Sequence, residues 1–208
     1  MIDDIRNNQK NLKLEKEENM RVIAGSAKRL QLETIEGLDT RPTTDRIKET
    51  LFNMIQPYIE RSLFLDLFSG SGGIGIEALS RGAKRVWFVE SQRKPMDCIK
   101  KNLLHTKLQE RATCLLMDAE RAILQIASEG VVFDFVYLDP PYGQGLEQGV
   151  LEKLVSTNII DENTEIIVET DLDTSFDYLE NIGLFIKKEK KYKTNRHLFL
   201  QYEKGENE

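Results

Sequence analysis

Cysteine is nearly absent: the chain has two in 208 residues, Cys98 and Cys114. Two cysteines cannot build a disulfide framework, and no CxxC pair or histidine-rich company suggests a zinc site, so both read as small buried hydrophobes. Histidine is as scarce. His105 and His197 stand apart from any acid or serine constellation, and His197 reads as a solvated strand residue near a basic tail. Long hydrophobic runs are missing too. Nothing approaches the ~18 apolar residues of a membrane span, and the N-terminus MIDDIRNNQK carries acids where a secretory signal needs an apolar core. A cytoplasmic protein without a membrane partner is expected. Glycine and proline total only 18, with 40% hydrophobic and 31% charged residues, which excludes disordered and fibrous classes. At ~100–200 residues per domain, the length suits one domain with an appendage.

Positive charge is in deficit, with 29 bases against 35 acids and a net charge of −6. Taken as an average, that argues against a nucleic-acid partner. The distribution is uneven, however. Residues 20–48 carry six bases against four acids, residues 49–186 twelve against 22, and KKEKKYKTNRH at 187–197 six against one. An acidic body thus lies between a mildly basic front and a strongly basic C-terminal segment.

Residues 1–19 are polar and read as a flexible, loosely helical extension. MRVIAGSAKRLQLET, from Met20, alternates around a Gly-Ser turn as a hairpin would. RPTT then holds the chain extended, and Thr44 or Asp45 can cap a helix with Ile47, Leu51, Met54 and Ile55 on one face. From Leu63 strands and helices alternate. Strand patterns fall at 63–68, 85–90, 113–117, 133–138 and 164–169, and helical patterns lie between them, including Ala119–Ala127 and Leu146–Val155. A short helix near Phe176–Ile182 and two final strands, Leu184–Lys188 and His197–Tyr202, complete the chain. This alternation predicts an α/β, doubly wound, Rossmann-like sheet, mostly parallel but ending in an antiparallel hairpin.

Gly70-Ser71-Gly72-Gly73-Ile74-Gly75 fits GxGxxG between a strand and a helix, and Glu90 follows 20 residues after Gly70 at the end of the next strand. The glycines allow a tight turn and close backbone approach to a ligand, and the acid can accept ribose hydroxyls. NAD, FAD and S-adenosylmethionine all fit that pattern. Asp66, four residues before Gly70 in an apolar strand, favours the last, because a carboxylate beneath the loop repels a pyrophosphate and suits an ammonium and a sulfonium. Asp66 also reads as an acceptor for the loop's own amides. Asp118 ends the third strand, where it can reach an adenine amino group or simply cap the following helix.

Asp139-Pro140-Pro141-Tyr142 follows the fourth strand. In an open α/β sheet the ends of the first and fourth strands flank the ligand crevice, so this loop should face the glycine loop. The two prolines stiffen it and remove two N–H donors, which leaves the Asp139 carboxylate and the Pro140 carbonyl as acceptors. Such a pair can grip an amino group on an aromatic ring and favour positive charge on its nitrogen as a bond to carbon forms. Tyr142 can stack on the ring. Carbon methylation of a pyrimidine would need a cysteine nucleophile, and neither cysteine falls in the cleft.

DLFSGSGGIGIEALSRGA, Glu90, DPPY, MRVIAGSAKRL and RPTTDRIKETLFN together resemble the RsmD family of bacterial 16S rRNA guanine-N2 methyltransferases, from Met20 to about Tyr202. The resemblance implies a class I methyltransferase fold with a seven-stranded sheet and S-adenosylmethionine as cofactor. It further implies methylation of a guanine N2 in 16S rRNA, within the 30S subunit or an assembly intermediate. Site residues follow from it as well: Asp139, Pro140, Pro141 and Tyr142 at the target base, which is flipped out; Ser69, Gly70, Gly72 and Gly75 along the cofactor; and Glu90 on its ribose. Asp118 and Ala119 then lie near the adenine, Asp66 beneath the loop, and Arg41 and Thr43 in the segment covering the methionine end. Residues 20–208 are then one methyltransferase domain, with hairpin and helix at 20–60 and the catalytic core from 61, active as a monomer. Arg21, Lys28, Arg29, Lys190, Lys191, Lys193 and Arg196 are the candidates for phosphate contacts. DNA adenine-N6 methylation, for which the chain lacks a recognition segment, protein glutamine methylation and a non-catalytic nucleotide-binding module are the rival readings.

Overall fold

Strand sequences that are apolar on both sides require a sheet covered on both faces. A computed structural model describes residues 20–35 and 45–203. Within them β1 (Leu63–Leu67), β2 (Arg85–Glu90), β3 (Ala112–Leu116), β4 (Phe135–Leu138) and β5 (Glu165–Asp171) run parallel to one another. β6 (Leu184–Lys191) and β7 (Asn195–Tyr202) form an antiparallel hairpin, through which β7 joins β5. The order across the sheet is β3-β2-β1-β4-β5-β7-β6. α1 (Asp45–Ile59), α2 (Gly73–Ser80) and α3 (Arg93–Thr106), with residues 20–32, bury the side chains of one face; α4 (Ala119–Ala127) and α5 (Leu146–Val155) bury those of the other. The strand order reverses between β1 and β4, which opens a crevice at their carboxyl ends. The seven-stranded, mostly parallel architecture expected from the sequence is therefore present.

Three local expectations change. The N-terminal hairpin has a single bridge, Arg21 to Gln31, flanked by Val22 N–H to Leu30 O at 2.9 Å and Leu32 N–H to Met20 O at 2.8 Å. It does not extend because the buried Glu77 carboxylate takes the Ile23 and Ala24 amides, at 2.8 and 3.0 Å. The helix expected at 176–182 shrinks to a 3-10 turn, Glu180–Ile182, stopped by Gly183 at φ 74°. Cys98 is buried as expected, but Cys114 is only half-buried; both are free thiols. The extension 1–19, Arg41, Thr43 and the Thr44 cap lie outside the described residues.

Candidate active-site cleft

The glycine loop turns at the β1 carboxyl end through residues with positive φ: Phe68 at 64°, Gly70 at 54° and Gly72 at 84°. A phenylalanine in that region is strained, which is common where a backbone is held for a ligand. The loop is tied from below. The Asp66 carboxylate accepts from Gly75 N–H at 3.0 Å, Ser69 Oγ donates to Asp66 O at 2.7 Å, and Gly72 N–H donates to Ser69 O at 2.7 Å. Burial pushes the Asp66 carboxyl up to about 8, with Gly75 opposing and the Glu90 charge adding to the rise. So Asp66 does cradle the loop, and at neutral pH it is mostly uncharged. Glu90 takes two amides, Gly70 N–H at 3.1 Å and Gln92 N–H at 2.8 Å. The glycines divide in role. A Cβ on Gly70 would meet none of the described residues within 4 Å, whereas one on Gly75 would lie 2.3 Å from Phe88 Cε1. Gly70 is open on the side its Cβ would occupy, among the described residues; Gly75 is buried against β2 and serves packing, not the surface of the cleft.

Beside the loop lies a cavity of about 180 Å³, lined by Phe68, Glu90, Ser91, Asp118, Ala119 and Leu146 among others. It brings together Glu90, Asp118 and Ala119, three of the residues singled out from sequence. At less than the ~300–1,000 Å³ of a site for a whole drug-sized ligand, it suits one flat ring, with the rest of the ligand along the open crevice. Asp118 is also the N-cap of α4, its Oδ1 accepting Arg121 N–H at 3.0 Å, so both readings of this residue hold geometrically. Phe68 and Leu146 carried no sequence signal. They join the wall only because β1 and α5 meet there in space.

Asp139 leaves β4 on the other side of the crevice and is half-buried. Among the described residues no donor reaches its carboxylate. Burial, then the charges of Glu169 and Asp66, hold its carboxyl well above the usual range. Pro140 is buried, Pro141 exposed, and Tyr142 stands 47% exposed, open to a stacking partner. Burial and nearby carboxylates raise the Tyr142 phenol, which keeps it neutral.

Sequence reasoning missed the residues behind this loop. His197 is fully buried on β7, with Nε2 3.0 Å from Glu169 Oε2, and is not a solvated strand residue. The register Glu169 to His197 made them partners, and no local pattern reveals a pairing across 28 residues. Tyr137 and Asn195 complete the group by donating to Glu169.

The charged candidates separate. Lys190 and Lys191 end β6, Lys193 lies in the turn and Arg196 begins β7, all at the sheet end that holds Asp139. Arg196 is committed internally, donating to Glu189 and to Thr174 O and lying over Phe176. Lys28 and Arg29 sit on a turn whose Ser26 N–H donates to Ser80 O, at the far end of α2 from the glycine loop, and Arg21 pairs with Asp45 at 2.7 Å. The structure does not bring Lys28 and Arg29 together with the hairpin lysines. Among the described residues no group of acids, histidines or cysteines suited to a metal occurs, and none of their helices is long and apolar enough to cross a membrane.

Residues 20–201 match the family model described as "Conserved hypothetical protein 95". The chain is 42% identical over 152 residues to the Bacillus subtilis protein named "Putative rRNA methyltransferase YlbH", covering 73% of this chain and 83% of that one. It is 37% identical over 169 residues to Ribosomal RNA small subunit methyltransferase D of Haemophilus influenzae, covering 81% and 88%. The solved structure of the Escherichia coli protein yhhF superposes with a TM-score of 0.78 at 30% identity, over 89% of this chain and 98% of that one.

Proposed function

The chain belongs to the RsmD family of rRNA methyltransferases, and from that premise we propose that it transfers a methyl group from S-adenosylmethionine to the exocyclic N2 of a guanine in 16S rRNA. The observation that carries this reading is the Asp139 carboxylate, half-buried, without a donor among the described residues, and next to the Pro140 carbonyl at the crevice. These are two acceptors for the two hydrogens of an amino group.

S-adenosylmethionine, when bound, supplies an electrophilic methyl on sulfur. The residues fit it: a small, mostly apolar cavity edged by Glu90 and Asp118 for the adenosine, beside a glycine loop that Asp66, mostly neutral, holds in shape instead of pairing with the cofactor's cations. Asp139 and Pro140 hold the amine in the line of attack, and Tyr142 stacks on the base, worth ~1–3 kcal/mol. The target is flipped out of the rRNA, and Lys190, Lys191 and Lys193 hold neighbouring phosphates. The protein acts as a monomer in the cytoplasm, on the small subunit or a precursor of it, and residues 20–208 form the one methyltransferase domain.

Transfer of tritiated methyl to 30S particles, naked 16S rRNA and DNA, with mapping of the modified base, tests the substrate. Asp139→Ala should lower methyl transfer by about 10²–10³-fold while S-adenosylhomocysteine still binds. Normal turnover in that variant would remove Asp139 from the mechanism.

A further inference from the structure

One row of side chains crosses the catalytic end of the sheet. The β4–β5 register pairs Leu138 with Val168, so the next step sets Asp139 beside Glu169; Glu169 pairs with His197, and His197 with Lys190. Glu169 is 4% exposed and bears three donors. Tyr137 OH donates to Oε2 at 2.5 Å, Asn195 Nδ2 to Oε1 at 2.5 Å, and His197 Nε2 lies 3.0 Å from Oε2. The far ring nitrogen of His197 is 3.3 Å from Tyr192 OH.

Burial alone would raise the Glu169 carboxyl, but the hydrogen bond and charge of His197, with Tyr137 and Asn195, hold it below the usual range. A buried, fully satisfied carboxylate is costly to build, and in the row beneath it Ile167 and Phe199 are apolar while Tyr137 turns its hydroxyl to Glu169 itself. Stability of the sheet does not call for it. Its position beside Asp139 gives it another use. Asn195, which holds Oε1, has its own Oδ1 buried without a donor among the described residues.

We propose that Glu169 is a positioning residue for methyl transfer: clamped by Tyr137, His197 and Asn195, it stands as a second, fixed carboxylate beside Asp139. The inference rests on the reading that Asp139 grips the amine. The titratable groups around Asp139 among the described residues are Asp66 from β1, Tyr137 on β4, Tyr142 on its own loop, Glu169 and Asp171 from β5, and His197 from β7. Of these, Glu169 exerts the largest charge effect on Asp139. Two adjacent carboxylates resist being ionised together, so the Glu169 charge makes Asp139 a stronger base and hydrogen-bond acceptor. As the nitrogen–methyl bond forms and the sulfur–methyl bond breaks, its electron pair staying on sulfur, the nitrogen becomes positive and sheds one N–H proton. Asp139 is placed to take that proton and pass it to water.

The test compares wild type with Glu169→Gln and Glu169→Asp in methyl transfer to 30S particles between pH 5.5 and 9, with S-adenosylhomocysteine affinity measured alongside. Activity should rise with pH as Asp139 ionises. In Glu169→Gln the midpoint of that rise should move down by about one pH unit, with the plateau kcat about tenfold lower and cofactor affinity unchanged. Glu169→Asp, which keeps the charge, should hold the midpoint near that of wild type. A Glu169→Gln midpoint equal to wild type, whatever its rate, overturns the proposal. Should Glu169→Gln fail to fold, Asn195→Ala decides: it removes the donor to Oε1, so Glu169 holds its charge less firmly and the midpoint should move down with cofactor affinity unchanged, and an unchanged midpoint overturns the proposal. A wild-type protein that methylates no RNA would instead overturn the reading of the reaction itself.

Discussion

Asp66 is 1% exposed, and burial pushes its carboxyl up to about 8. In the unfolded chain the same group ionises near 4, so between the two values the folded state holds a proton that the unfolded state has lost. The stability this gives is fully present below about pH 4, falls as pH rises, and is gone above about pH 8, a difference of about 5 kcal/mol. Asp66→Asn has no proton to lose. It should therefore melt above wild type at pH 8.5, by at least about 5 °C, with the gap closing toward pH 5. Thermal melts across that range check this, and a gap independent of pH would refute it. Asp66 was legible in the sequence as an acid out of place in an apolar strand. Its mostly neutral state was not, because that follows from α2 closing over it. Glu169 and His197 were illegible for the same reason: each looks ordinary in its own strand, and only the β5–β7 register makes them a pair.

Among the elements, the strand–loop–helix around Gly70–Gly75 shows how one motif carries two duties. At Gly75 an added Cβ would lie 2.3 Å from Phe88 Cε1 and 2.9 Å from Val86 Cγ1, so α2 would have to lift from β2. Overpacking of this kind costs ~1–3 kcal/mol, and Gly75→Ala should lower Tm by about 3–8 °C. At Gly70 a methyl group meets no atom of the described residues, and the left-handed backbone costs it only ~1–2 kcal/mol. Gly70→Ala should thus melt closer to wild type, yet bind S-adenosylhomocysteine more weakly by about tenfold or more, since the methyl occupies the ligand's approach. Calorimetry with titration of both variants separates the duties; equal losses of Tm and affinity in each would contradict the division. GxGxxG itself was plain in the sequence, as were α4 and α5, whose residue limits match their apolar periodicity. The hairpin at 20–35 and the turn at 176–183 were less so, because Glu77 and Gly183 decide them through contacts or backbone angles that no periodicity encodes.

At the scale of the molecule, the net charge of −6 is an average over parts that do not act together. The sheet order places the lysines of β6 on an edge strand, where they also discourage strand-to-strand association. Because β7 runs antiparallel to β5, the tip of that hairpin lies at the end of the sheet that carries Asp139. Lys28 and Arg29 are at the other end of α2, an eight-residue helix about 12 Å long. Phosphates near a base held at Asp139 are therefore within reach of Lys190, Lys191 and Lys193 and remote from Lys28 and Arg29. Every phosphate that is no longer neutralised takes ~0.7–0.9 off the slope of log affinity against log salt. Replacing the three hairpin lysines by alanine should lower the slope for 16S rRNA by about two and weaken binding most at low salt. Replacing Lys28 and Arg29 together should leave the slope within about 0.3 of wild type. Filter binding over a salt series measures both, and a larger change from the Lys28 and Arg29 pair would put the RNA on the opposite end of the sheet from the acceptor that methylation requires.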